Sequence, residues 1–119
     1  MTQTDFDRVL EMRIASMREV LAGKAEEYGL GGDRLHNFKV AAKMSSSNET
    51  PEQALWGMLR KHLVSIIDIV DATSWGECPS QWLRNEKIGD ANNYLVLLEA
   101  LLIERERAEE DGRMMHIQV

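Results

Sequence analysis

Two stretches of this sequence carry polar side chains at the spacing that one face of a helix requires. Lys61, Ser65 and Asp68 are separated by four and three residues, and Asp71 follows one turn later, so a helix there stacks them on one side. Glu86, Asp90, Asn93 and Tyr94 repeat the arrangement. Only fourteen residues separate Asp71 from Glu86, which suits two antiparallel helices joined by a turn. Carboxylates converging from such a pair repel one another unless a cation neutralises them, and oxygen ligands suit the hard ion Mg²⁺, with Mn²⁺ as a substitute. Asp68, Asp71, Glu86 and Asp90 are therefore the expected metal ligands, and Asp68, Glu86 and Asp90 the expected catalytic set. Lys61 is placed to meet a phosphate held by that ion. A plainer reading stands beside this one: acidic residues on an outer helical face are usually solvated, and Glu86 or Asp90 can pair with Lys87 or Arg84.

Other residues invite the same double reading. Lys24 and Tyr28 lie one turn apart, as a phosphate contact and a ring for packing, or as a lysine at a helix C-terminus and an aromatic closing the core. Asn37 beside Phe38 offers a hydrogen bond and a stacking surface to a base, or a local backbone partner. His62 follows Leu55 and Leu59 on an apolar side, where a lone histidine is more often a satisfied core residue than a ligand. Cys78 has no second cysteine within reach and no evident base, which argues against a catalytic thiol. Gly29, Gly31 and Gly32 follow no strand, so they read as a turn and not as a phosphate loop.

These residues need helices to position them, and the apolar spacing supplies four. Phe6, Val9, Leu10, Ile14, Met17, Val20 and Leu21 give an amphipathic helix from about Thr4 to Tyr28, ended by the glycines. Asp33 is the expected cap of a short helix from Arg34 to Met44. The polar segment Ser45 to Glu49 is a loop, and Thr50-Pro51-Glu52-Gln53 is a capping-box start. The helix that follows runs to about Ala72, burying Ala54, Leu55, Met58, Leu59, Leu63, Ile66, Ile67 and Val70. After a loop to Ser80, a fourth helix runs through Trp82, Ile88, Ala91, Tyr94, Leu95, Leu98, Leu101 and Leu102 to about Glu109, with Asp111-Gly112 as its end. The expected fold is all-α: one domain over residues 1–119, a bundle of about four helices built on a long hairpin, with tails at 1–4 and 112–119 that are flexible or dock on a partner.

Composition agrees with a packed globular chain: of 119 residues, 44% are hydrophobic and 29% charged, close to the average for such domains. The net charge of −6 argues against nucleic acid or an anionic membrane as the main partner. A single cysteine excludes an intrachain disulfide. The acidic N-terminal stretch lacks a signal-peptide core, and no apolar run reaches the ~20 residues of a membrane span. The cytoplasm is the expected location. Two long amphipathic helices and a short one carry more apolar stripe than a small monomer covers, so a homo-oligomer, at least a dimer, is expected.

Four strings carry a resemblance: Lys24-x-x-x-Tyr28-Gly29, Asn37-Phe38-x-x-Ala41-Ala42, Lys61-His62, and Glu86-Lys87-Ile88-Gly89-Asp90-Ala91-x-Asn93-Tyr94-Leu95. Together they resemble the phage and prophage, nucleotide-modification-associated branch of the MazG-like all-α NTP pyrophosphohydrolases, over roughly Lys24 to Glu104. The last string is the most specific. The resemblance implies an all-helical, oligomeric, Mg²⁺-dependent enzyme that cleaves an NTP or dNTP to monophosphate and pyrophosphate, in a host cytoplasm if phage-encoded. It places Asp90 at the aspartate of the second metal motif, with Lys87 where that motif has glutamate, and Asp68-x-x-Asp71 at the first motif. Lys24, Tyr28, Asn37, Phe38, Lys61, His62, Asn93 and Tyr94 become the expected nucleotide contacts. Two other expectations remain open: a protein that binds a nucleotide or nucleotide-derived signal and returns it unchanged, and a purely structural interaction module.

Overall fold

A computed structural model describes residues 1–23 and 32–117, with side chains through residue 114. Among the described residues there are four α-helices and no strand: α1 (Gln3–Gly23), α2 (His36–Met44), α3 (Pro51–Ala72) and α4 (Gln81–Ile117). No helix among them is long and apolar enough to cross a membrane. The all-α expectation therefore holds.

Local chemistry accounts for most helix boundaries. The Thr50 hydroxyl accepts from the Gln53 backbone N–H at 3.2 Å, and the Gln53 side chain accepts from the Thr50 N–H at 2.9 Å. Both halves of the capping box at the start of α3 are thus formed. Ser80 accepts from the Leu83 N–H at 3.1 Å and starts α4. A short 3₁₀ turn, Thr73–Trp75, follows α3 and is closed by Gly76 at φ 82°, a left-handed conformation that a side chain would strain.

Three boundaries differ from the sequence reading. The first helix begins at Gln3, one residue ahead of Thr4, because Thr2 accepts from the Asp5 N–H at 3.1 Å and caps it. Asp33 does not cap α2; its carboxylate accepts from the Leu35 N–H at 3.0 Å, one turn ahead of the helix, which begins at His36. Asp111-Gly112 does not end α4, which continues to Ile117. Gly112 keeps a helical backbone, since the only glycines with positive φ among the described residues are Gly32 and Gly76. One glycine costs a helix about 1 kcal/mol, too little to stop it between good helix formers.

The helices pack in a definite register. Glu52 near the start of α3 accepts two hydrogen bonds from Arg105 of α4, at 2.9 and 2.8 Å, which fixes α3 and α4 as an antiparallel pair. The core lies where α2 crosses that pair, built from Leu35, Phe38, Leu55 and Leu101 with Met58, Tyr94, Leu97 and Leu98 against them. Leu55 and Leu59 are fully buried. Helix α1 runs parallel to α4, since Arg13 lies against Asn85 and Gly89 and Val20 and Leu21 face the cavity shared with Asn93 and Leu97.

The buried set is smaller than the apolar spacing implied. Ile67 and Val70 of α3, Trp82, Leu95 and Leu102 of α4, and Phe6, Val9, Leu10 and Val20 of α1 are exposed. Periodicity identifies an apolar stripe but not whether this chain itself supplies the partner that covers it.

Candidate functional site

A cavity of about 330 Å³ opens between α1, the start of α2, and the facing sides of α3 and α4. Its apolar walls are Val20 and Leu21 of α1, Phe38 of α2, Met58 of α3, and Leu97 of α4. Tyr94 meets the Phe38 ring edge-on, with centroids 6.4 Å apart and planes at 68°, and lies 5.3 Å from the His62 ring. Asn37, Asp90, Asn93 and Arg34 supply the polar part of the lining. This volume falls in the range of small-molecule pockets, which combine apolar walls with a few fixed polar groups.

Two polar atoms here are buried without a hydrogen-bond partner: Asn93 Oδ1 and His62 Nδ1. Asn93 is only 8% exposed. His62 Nδ1 lies 3.8 Å from Asp90 Oδ2, too far for a hydrogen bond. An unpaired buried acceptor costs about 1–3 kcal/mol.

A second space of about 60 Å³ adjoins this one, sharing Val20, Asp90 and Asn93 and adding Arg13, Ser16, Asn85 and Gly89. The Arg13 guanidinium donates to Asn85 Oδ1 at 3.1 Å. A Cβ on Gly89 would come within 2.7 Å of Arg13 Nη1, so the glycine gives Arg13 its place. The string Glu86 to Leu95 therefore brings an acceptor, a carboxylate and a backbone gap to one side of α4.

The expected carboxylates are divided. Asp90 lines the cavity described above, whereas Asp68 lines another of about 320 Å³ at the hairpin end, together with Ser65, Glu77, Cys78 and Lys87. Asp71 is exposed and Glu86 half-buried. Among the described residues no three of His, Cys, Asp and Glu are grouped so as to hold a metal ion. Asp90 Oδ2 has His62 Nδ1 at 3.8 Å, and Asp68 lies on the other cavity. Lys61 is exposed, and its backbone carbonyl accepts from Ser65 Oγ at 3.2 Å. Asn37, Phe38, Asn93 and Tyr94 do come together on the cavity, with His62 against Tyr94. Lys24 and Tyr28 lie outside the described residues.

Sequence reading missed Arg34, Arg13 and Met58. Arg34 precedes Asn37 by one turn, a spacing that gives a signal once α2 is known to edge a cavity; Arg13 and Met58 carry none. It also missed an ion network beside the site: Lys39 Nζ lies 2.7 Å from Asp33 Oδ2 and 2.5 Å from Glu104 Oε1, tying the segment before α2 to α4. The hydrogen bond from Lys39, then that from the Leu35 N–H, holds the Asp33 carboxyl below its usual range. Asp33 and Glu104 in turn push the Lys39 ammonium up.

Fold and cavity together define an all-α protein with an amphipathic cavity. No known protein family, curated protein or solved structure matches the chain.

Proposed function

We propose that this chain binds a nucleotide or nucleotide-derived small molecule in the cavity between α1, α2 and α4, as a homo-oligomer of at least two copies. The observation that carries the ligand reading is the cavity itself, which brings the side chains of Asn37 and Asn93 together with two aromatic rings. A base offers a flat face for Phe38 and Tyr94 and hydrogen-bonding edges for the amides. Arg34 supplies a guanidinium whose fork suits a phosphate. The resemblance of residues 86–95 to a nucleotide-handling family points the same way.

One observation favours a second reading. Asp90, which the resemblance assigns to the metal, lines the same cavity. In that reading the protein is a Mg²⁺- or Mn²⁺-dependent pyrophosphohydrolase, in which water and an NTP or dNTP give the monophosphate and pyrophosphate.

Calorimetry with a panel of NTPs and dNTPs, in Mg²⁺ and again in EDTA, followed by chromatography of the recovered nucleotide, separates the readings. Binding heat in EDTA with intact nucleotide supports the binder. Pyrophosphate release that disappears in Asp90→Ala supports the enzyme. Neither heat nor turnover with any member of the panel rejects both.

A further inference from the structure

The cavity at the hairpin end, of about 320 Å³, lies between the last turns of α3, the loop after Gly76 and the first turns of α4. It shares no residue with the cavity between α1, α2 and α4, and its volume reaches the range of small-molecule pockets. Ile69 and Ala72 of α3, Pro79 of the loop and Leu83 of α4 give it apolar walls. The Glu77 N–H donates to the Ala72 carbonyl at 3.1 Å, which ties the loop wall to the end of α3. Three charged side chains line the same space: Asp68 of α3, Glu77 of the loop and Lys87 of α4.

None of the three is paired. Among the described residues the ion pairs engage Asp5, Asp33, Glu52, Asp90 and Glu104, and Lys87, Asp68 and Glu77 enter none of them, nor any side-chain hydrogen bond. Spacing offers Glu86 and Asp90 as partners for Lys87, and the structure gives it neither. The ammonium therefore stands more than 4.0 Å from each carboxylate that shares its cavity. Ser65, on the same wall, spends its hydroxyl proton on the Lys61 carbonyl at 3.2 Å, so its oxygen is left as an acceptor. An anion drawn to Lys87 alone is repelled by two carboxylates, and a cation drawn to the carboxylates alone is repelled by the ammonium. A molecule with one charge of each sign, separated by an apolar chain, meets its opposite at both ends. Lys87 is half-buried while Asp68 and Glu77 are exposed, which puts the anionic end inward and the cationic end at the mouth.

We propose that the hairpin-end cavity is a second ligand site, which takes a small zwitterion: a carboxylate on Lys87, an ammonium on Asp68, Glu77 and the Ser65 oxygen, and a short methylene chain along Ile69 and Leu83. The gap between the protein's own charges favours an ω-amino acid over an α-amino acid, whose two charges are adjacent. The site does not depend on the nucleotide reading of the other cavity.

Cys78 makes the test direct, because it is the sole cysteine of the chain and lines this cavity, where its thiol is exposed. Alkylation of the full chain by iodoacetamide is followed by mass spectrometry, without nucleotide and in EDTA, so the result leaves the other cavity and any metal out of account. The probes are 6-aminohexanoate and its shorter homologues down to glycine, each at tens of millimolar, with hexylamine and hexanoate as the single-charge controls. The expected result is a several-fold slower alkylation with the longer ω-amino acids and no slowing with either control. Lys87→Met, and separately the double variant Asp68→Asn, Glu77→Gln, are expected to abolish that protection with an unchanged thermal melt, since these side chains hold no partner in the fold. No slowing by any of the amino acids in the wild-type chain overturns the proposal. So does equal slowing by hexylamine or hexanoate, or protection that survives both sets of replacements.

Discussion

Replacing Asn93 by leucine tests the cavity from the side of stability. The side chain is 8% exposed and its Oδ1 has no partner, so the free protein carries a desolvated acceptor that leucine, of similar shape, removes. Relief of an unpaired buried polar group is worth about 1–3 kcal/mol. For a chain of 119 residues the unfolding entropy at Tm is about 250 cal/mol/K, so each kcal/mol moves Tm by about 4 °C. Asn93→Leu is therefore expected to raise Tm by about 4–12 °C in the absence of ligand, and to abolish the further rise that a bound nucleotide gives wild type. Thermal melts of both proteins at one fixed protein concentration, with and without millimolar nucleotide, read both effects. A gain in stability on losing a polar residue, paired with loss of binding, is what a site kept for function shows. A lower Tm in Asn93→Leu refutes the argument, because it means that the amide is a structural partner of the fold.

Leu59→Ala, at a fully buried position in the first half of α3, is expected to cost about 2–5 kcal/mol, a fall of roughly 8–20 °C in Tm that calorimetry measures directly. Gly89→Ala gains about 1 kcal/mol of helix propensity and loses the Arg13–Asn85 hydrogen bond, worth about 0.5–1.5 kcal/mol, because the new Cβ displaces the guanidinium. Its Tm is expected to stay within about 4 °C of wild type while nucleotide affinity measured by calorimetry falls. Lys39→Met removes the partner that holds Asp33 down. A depressed carboxyl adds stability above its unfolded pKa, about 3.9, and loses it as pH falls through the folded value. The difference in Tm between wild type and Lys39→Met should thus be present at pH 7 and shrink below about pH 4; a difference unchanged at pH 3 contradicts the assignment.

What the sequence discloses here is local. Thr50-Pro51-Glu52-Gln53 specifies the start of α3 because every group in that capping box lies within four residues, and the structure forms both of its hydrogen bonds. Asn37, Phe38, Asn93 and Tyr94 share one cavity because two short stretches present them on facing helix sides, a placement that spacing alone anticipates. The carboxylates show where this kind of reading stops. Asp68 does face α4, but level with Leu83 and Lys87, because the antiparallel register of the pair, pinned by Glu52 against Arg105, decides which residues come level, and spacing within one helix does not fix it. Here it brings His62, not Asp68, to within 3.8 Å of Asp90. Ile67 and Val70 are expected in the core but are exposed, because an apolar stripe looks the same in one sequence whether or not the chain itself supplies a helix to cover it.

Helix α1 is the element through which ligand and stability would be joined. It supplies Val20 and Leu21 to the ligand cavity and Arg13 to the annex beside it, while its first turns overhang the rest of the bundle with no residue buried. A helix with no buried residue contributes little to the core, so most of what a filled cavity would add to the stability of α1 comes from the ligand, and a nucleotide should raise Tm through contacts that this helix lacks when the cavity is empty.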